Sequence, residues 1–389
     1  MLRWRAIEGT PIEEFLRGLN KKVLSLLELN MFLAEDRIMC FKIISQNLQT
    51  QSYELMYLPG ARAVTDPPQN LLRLIQQRRR WINGANAIFV FVTLKCLHMT
   101  ETKHSKCQKS FFIINFVISL LSQIMGFVST GLFYGTISSF IRFFVQNKVE
   151  DIKIDTPFQM ASIFENLILL SYMVLVIISL GMGKGLDNPK VQWTLIGISV
   201  ILCGFNFFVV IYTLAGLFSS ALTILILIGF LFTYFIPPML YECKLFCKTL
   251  PKQLLSILAY LLCMPLYLIV FQVYSYANFH DVTWGNREAS ADMTLQQIQK
   301  RQQEILNEKL LKRDYKITRV FIFIVWIFMN LGTGYLMSQF RKQNMTSLLI
   351  LVAYSLIIFQ LLKLVGMLAY WIMLKRRDPL SPENATLQR

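Results

Sequence analysis

From Val191 to Tyr241 the chain contains no Asp, Glu, Lys or Arg. An α-helix needs about 20 predominantly apolar residues to cross the hydrocarbon of a bilayer, so this run is about twice as long as one span requires. Backbone polar groups in hydrocarbon must be satisfied within the segment, which makes the run helical and divides it around Gly216 into two helices. Shorter runs repeat the signal at Phe111–Tyr134, Phe164–Gly183, Leu254–Ala277, Val320–Gln339 and Ser347–Leu374. Seven transmembrane helices are expected, forming a membrane α-helical bundle.

Charge supports that reading. Only 16% of the 389 residues are charged, where soluble chains average about 25%. A formal net charge of +16 on a soluble domain would point to nucleic acid. Here Lys and Arg fall between apolar runs, where loops and headgroup-facing segments carry them. The partner is therefore the lipid bilayer, with no nucleic acid. Met1–Asn20 carries acids and bases and has no apolar h-region, so it is no secretory leader. Seven cysteines and three scattered histidines form neither a disulfide framework nor a zinc pattern.

Three segments qualify the picture. Asn86–Leu97 is apolar but short and contains Lys95, which suits a helix lying in the interface. Met293–Lys312 has few helix breakers and reads as a solvent-exposed helix. Lys363 lies inside the last span, facing a bundle interior or snorkelling to an interface. If the N-terminal segment is cytosolic, five spans place Asn278–Arg319 outside. Eight basic residues between Arg287 and Arg319 argue for inside. That side stays open.

Before Lys109 the chain is mixed in composition and holds two clusters that membrane packing does not need. The first is Asn30-Met31-Phe32-Leu33-Ala34-Glu35-Asp36-Arg37, followed by an amphipathic Ile38, Phe41, Ile44 pattern. A carboxylate within hydrogen-bond reach of a hydroxyl can act as general base; an acidic pair also suits the start of a solvated helix. The second is Gln76-Gln77-Arg78-Arg79-Arg80-Trp81, followed by Asn83-Gly84. Guanidinium groups pair with phosphate oxygens, and an indole offers a flat apolar face to a sugar ring. A juxtamembrane basic patch on anionic lipid is the simpler alternative. Between them, Tyr57–Pro68 reads as a strand, a turn and a Pro-stopped loop entering the Arg helix.

Ala34-Glu35-Asp36-Arg37, then Thr65-Asp66-Pro67, then Gln77-Arg78-Arg79-Arg80-Trp81-x-Asn83-Gly84, then spans, resembles the chitin synthases. These are processive family-2 glycosyltransferases of GT-A type. Thr283-Trp284-Gly285-Asn286-Arg287 resembles a further motif of the family, with Asn286 where Thr is usual. The resemblance implies transfer of N-acetylglucosamine from UDP-N-acetylglucosamine to the end of a growing β-1,4 chitin chain, and translocation of the polymer. Asp36 would be the catalytic base with Glu35 in support. Gln77, Arg78, Arg79, Arg80 and Trp81 would bind the acceptor end and the departing diphosphate, and Thr283, Trp284 and Gly285 would serve translocation or folding. It further implies a multi-pass plasma-membrane protein with a cytoplasmic N-terminal segment, pairing with a second copy or with a full-length synthase.

The expected organisation is a C-terminal piece of a GT-A-type α/β glycosyltransferase domain over 1–84, then an interfacial helix and linker over 85–109. Five spans follow in 110–277, a motif loop and charged helix in 278–319, two spans in 320–374, and a polar tail in 375–389. The family holds a divalent ion, Mg or Mn, on an Asp-x-Asp site, and no Asp-x-Asp occurs here; Asp151 and Asp155 are too far apart. The chain therefore reads as lacking the donor-binding start and as inactive alone. Rival readings are a cellulose- or hyaluronan-type synthase, a channel or transporter, and a non-catalytic subunit.

Overall fold

The computed structural model describes residues 4–17, 25–46, 52–55, 64–138, 156–181, 188–217, 235–236, 239–240, 243–282, 317–337, 361–362, 364–369 and 371–372. Thr283, Trp284, Gly285, Met293–Lys312, Lys363, Asp151, Asp155 and the strand expected at Tyr57 lie outside these residues. Every helix or strand among the described residues is helical.

The N-terminal segment forms four short helices: α1 (Trp4–Ile7), α2 (Thr10–Arg17), α3 (Leu26–Met31) and α4 (Glu35–Ile44), with a 3₁₀ turn over Phe32–Ala34 between α3 and α4. Ser25 starts α3 with a capping box: its hydroxyl accepts from the Glu28 N–H, and the Glu28 carboxylate accepts from the Ser25 N–H. That backbone bond, helped by the Ser25 hydroxyl and Arg17 against a small burial penalty, holds the Glu28 carboxyl below its usual range. Glu28 therefore stabilises the fold above the ordinary carboxylate pKa, and the contribution is lost as pH falls through its lowered value. The expected amphipathic stripe holds: Ile38, Phe41 and Ile44 are all buried.

Helix α5 (Leu71–Lys95) is the long element of this region. Pro67 and Pro68 keep the preceding chain extended, and the Asn70 side chain accepts from the Arg73 N–H as cap. The helix runs without interruption from the Arg cluster into the apolar stretch. The interfacial helix expected at Asn86–Leu97 is the second half of one rod, not a separate element. A core of Leu29, Met31, Phe32, Ile38, Ala87 and Ile88 ties α3, the 3₁₀ turn, α4 and α5 together.

Helices α6 (Lys106–Phe127), α7 (129–138), α8 (Thr156–Gly181), α9 (Pro189–Leu217), α10 (Cys243–Leu262), α11 (Leu266–Ala277) and α12 (Ile317–Met337) follow. Five described helices are long and apolar enough to cross a membrane: Leu71–Glu101, Lys106–Phe127, Pro189–Phe207, Cys243–Leu262 and Ile317–Met337. Two of the spans read from the sequence are divided. The run at Phe111–Tyr134 breaks between α6 and α7 because an amide from α12 enters its ladder. Asn330 accepts from the Gly131 N–H at 2.8 Å and donates to the Phe127 carbonyl at 3.0 Å, standing in for the bond those two groups would make directly. The fit is close, since a Cβ on Gly131 would lie 2.2 Å from the Asn330 carbonyl oxygen.

The run at Leu254–Ala277 divides likewise. Pro265 has no N–H for the Leu261 carbonyl. Asn206 supplies a donor instead, at 2.6 Å to the Leu261 carbonyl and 3.2 Å to that of Leu262. Residues 266–270 then form a π-helical turn that passes into α-helix at Phe271. At about 1.5 Å per residue, α11 is too short to span by itself.

Residues 1–204 with 265–338 form one compact unit, and 205–264 with 339–389 another. In the first, Tyr276 of α11 stacks on Trp326 of α12, with centroids 5.0 Å apart, and meets Phe127 of α6 edge-on.

Candidate functional site

The two sequence clusters meet in one pocket. Leu33, Ala34, Glu35, Asp36 and Arg37 line it from the start of α4, and Arg80 and Trp81 line it from α5. Its cavity volume is about 390 Å³, within the range of small-ligand sites. Glu35 and Asp36 occupy the first turn of α4, where carboxylates also offset the helix dipole. Asp36 is exposed to solvent and Glu35 half-buried. Cys40, one turn along, has its thiol pushed up, first by burial and then by the Asp36 carboxylate, so it stays a protonated thiol and not a competing nucleophile.

The close approach of the two elements has an identifiable cause. A Cβ on Gly84 would stand 3.2 Å from the Ala34 Cβ, 3.3 Å from the Asn30 carbonyl oxygen and 3.3 Å from the Leu33 Cβ. None of those atoms is the end of a flexible side chain. Glycine at 84 lets α5 lie against the segment that carries the acidic pair, one turn beyond Arg80 and Trp81.

Helical phase separates the three arginines. Successive side chains turn by about 100°, so Gln77, Arg80, Trp81 and Gly84 share one face while Ile75, Arg79, Asn83 and Ala87 share another. Arg80 faces the pocket. Trp81 is 50% exposed, and the Arg78 guanidinium lies 4.3 Å from its ring centroid, a cation–π pair that fixes the indole. Gln77 and Arg78 do not line the pocket. Neither does Arg79, which is 4% exposed and turned to the opposite face. Its Nη1 lies 3.1 Å from an Asp281 carboxylate oxygen.

That second face carries contacts that the sequence reading missed. Asn83, fully buried, donates to the Ser275 carbonyl at 3.0 Å, and Asn86 donates to the Tyr276 hydroxyl at 2.6 Å. Asn30, also fully buried, donates to the Phe279 carbonyl at 2.9 Å. Val282 packs on the core that α3 and α5 share. The signal was present as polar residues at four-residue spacing, Arg79 and Asn83, flanked by apolar Ile75 and Ala87. Asp281, at the end of the Asn278–Asp281 segment, is tied to the pocket helix through Arg79.

Among the described residues no three His, Cys, Asp or Glu side chains converge on a point that could hold a metal ion. The pocket brings two carboxylates, Glu35 and Asp36, and two guanidinium groups, Arg37 and Arg80, to bear on a ligand, with an indole as platform. That set can take a proton from a hydroxyl, hold an anionic group and stack a sugar ring.

Residues 1–96 match the family described as chitin synthase-like glycosyltransferase domain. The chain is 26% identical to Chitin synthase 1 of Phytophthora sojae over 95% of its own length and 42% of the relative's. It is 25% identical to Chitin synthase C of Aspergillus oryzae, over 71% of this chain and 31% of that one. Against Chitin synthase 7 of Cryptococcus neoformans the identity is 24%, covering 78% and 35%. The chain thus spans less than half the length of these curated relatives, to which it is similar.

Proposed function

We propose that the pocket between α4 and α5 holds the growing end of a β-1,4-linked N-acetylglucosamine polymer, in a membrane enzyme that extends it from UDP-N-acetylglucosamine. Asp36 takes the proton of the terminal 4-hydroxyl as that oxygen bonds to the anomeric carbon of the donor. UDP leaves from the opposite face with the bonding electrons, which inverts the configuration. Glu35 keeps the hydroxyl and Asp36 in register. Arg80, with Gln77 and Arg78 nearby on the helix, offsets charge developing on the diphosphate, and Trp81 stacks the terminal sugar. A divalent ion, as the resemblance implies, would offset charge on the departing diphosphate.

One observation carries this reading: carboxylates and an Arg-Trp pair from two separate sequence clusters line a single pocket. The site belongs to residues 1–84, the acceptor-side piece of a GT-A-type domain, on the cytoplasmic face of a bundle of about seven spans in the plasma membrane. The polymer leaves through that bundle.

The test is a chimaera in which this chain replaces the corresponding portion of Chitin synthase 1 from Phytophthora sojae. Membranes carrying it are expected to convert labelled UDP-N-acetylglucosamine into chitinase-sensitive polymer, and Asp36→Asn to lower the yield by about 10²-fold or more. Equal yield from both would remove Asp36 as the base.

A further inference from the structure

We propose that Arg79 is a positioning residue: paired with Asp281, it locks the segment that follows α11 onto α5 and so keeps Arg80 and Trp81 in register with the acidic pair. The lock itself stands on geometry alone; its consequence for the pocket rests on the function proposed above.

Arg79 belongs to a basic run that faces an anionic ligand in the simplest reading, yet its side chain is 5% exposed and lies off the pocket. A guanidinium taken out of water is costly unless an anion stands beside it. Asp281 is that anion, at 3.1 Å. Around the pair, Asn83 reaches the Ser275 carbonyl and Asn86 the Tyr276 hydroxyl, while Asn30 reaches the Phe279 carbonyl from α3, beside the acidic pair. The seam therefore joins both walls of the pocket to one short stretch, Ser275–Asp281. Tyr276 continues the contact by stacking on Trp326 of α12.

The pair is asymmetric, and the asymmetry separates a lock from a ligand. The Asp281 side chain is 35% exposed against 5% for Arg79. Losing Asp281 strands a buried cation, whereas replacing Arg79 by Met fills the same space and leaves a carboxylate that water can reach. A lock predicts that Asp281→Asn does the greater harm and that Arg79→Met relieves it. A ligand predicts the reverse, with Asp281→Asn nearly silent.

The experiment is hydrogen exchange by mass spectrometry on the full chain in detergent, with N-acetylchitohexaose affinity measured beside it. Asp281→Asn is expected to speed exchange about tenfold in both 76–84 and 275–282, Arg79→Met about threefold, and the double variant to fall back towards Arg79→Met. Unchanged exchange in Asp281→Asn, or greater harm from Arg79→Met, overturns the proposal. Should Asp281→Asn not yield folded protein, the double variant decides: its recovery supports the lock and its failure removes it. If exchange behaves as expected while Trp81→Ala leaves hexaose affinity unchanged, the lock stands and the pocket's ligand has been misread.

Discussion

The two faces of α5 are built from the same chemistry and put it to opposite uses. On the pocket face, Arg80 and the half-exposed Trp81 look across a cavity at Glu35 and Asp36. On the seam face, Arg79 and Asn83 are sealed against Ser275–Asp281. One face leaves polar capacity open to a ligand; the other consumes it inside the protein. Adjacent arginines thus differ through helical phase, which sets what each side chain meets. The comparison teaches that a basic run on a helix cannot be assigned as a unit.

That contrast can be broken residue by residue. The largest effect is expected opposite the pocket face, where Asp36→Asn in the chimaeric synthase should lower polymer formation about 10²- to 10³-fold. Its melting midpoint in detergent should barely move, because the residue is an exposed first-turn acid. Next comes the seam face. Asn83→Leu strands the Ser275 carbonyl in a buried site, which costs about 2 kcal/mol and lowers the unfolding midpoint. A large loss of polymer formation with unchanged stability would instead put Asn83 in the pocket's chemistry.

Trp81→Ala should weaken N-acetylchitohexaose binding about tenfold, as loss of a stacking ring does, and leave stability nearly untouched. Gly84→Ala changes the pocket face where it packs on the opposite wall. Alanine gains about 1 kcal/mol of helix propensity over glycine, but its Cβ meets three inflexible atoms at 3.2–3.3 Å. Stability should therefore change little while hexaose affinity falls by roughly half to one order of magnitude, since the wall carrying Asp36 must move. The smallest effect belongs to Arg78→Met, which removes a cation–π partner worth about 0.5 kcal/mol at an exposed site and weakens hexaose binding about twofold.

Much of this was legible before the structure. Absence of charge marks the membrane runs, because a buried charge is costly there and the composition obeys that cost. The Pro67-Pro68 pair announces the start of α5, and Ile38, Phe41 and Ile44 announce the buried stripe of α4. The pairing of Asp36 with Trp81 came from resemblance, since nothing local says that residues so far apart in sequence share a cavity. What stayed hidden depends on partners distant in the chain. The break at Val128 arises because Asn330 enters the ladder from another helix, and the carbonyls left open before Pro265 are met by Asn206; an asparagine in an apolar run does not say whose ladder it will enter. The separate duty of Arg79 follows from helical phase only once Asp281 is known to lie opposite.

The most direct test of the central claim is photoaffinity labelling of the chain with a chito-oligosaccharide bearing a diazirine on its non-reducing sugar. Label is expected on peptides containing Leu33–Arg37 and Arg80–Trp81, competed by unlabelled N-acetylchitohexaose and reduced in Trp81→Ala. Saturable labelling confined to other segments, unaffected by Trp81→Ala, would contradict the assignment of this pocket to the growing chain end.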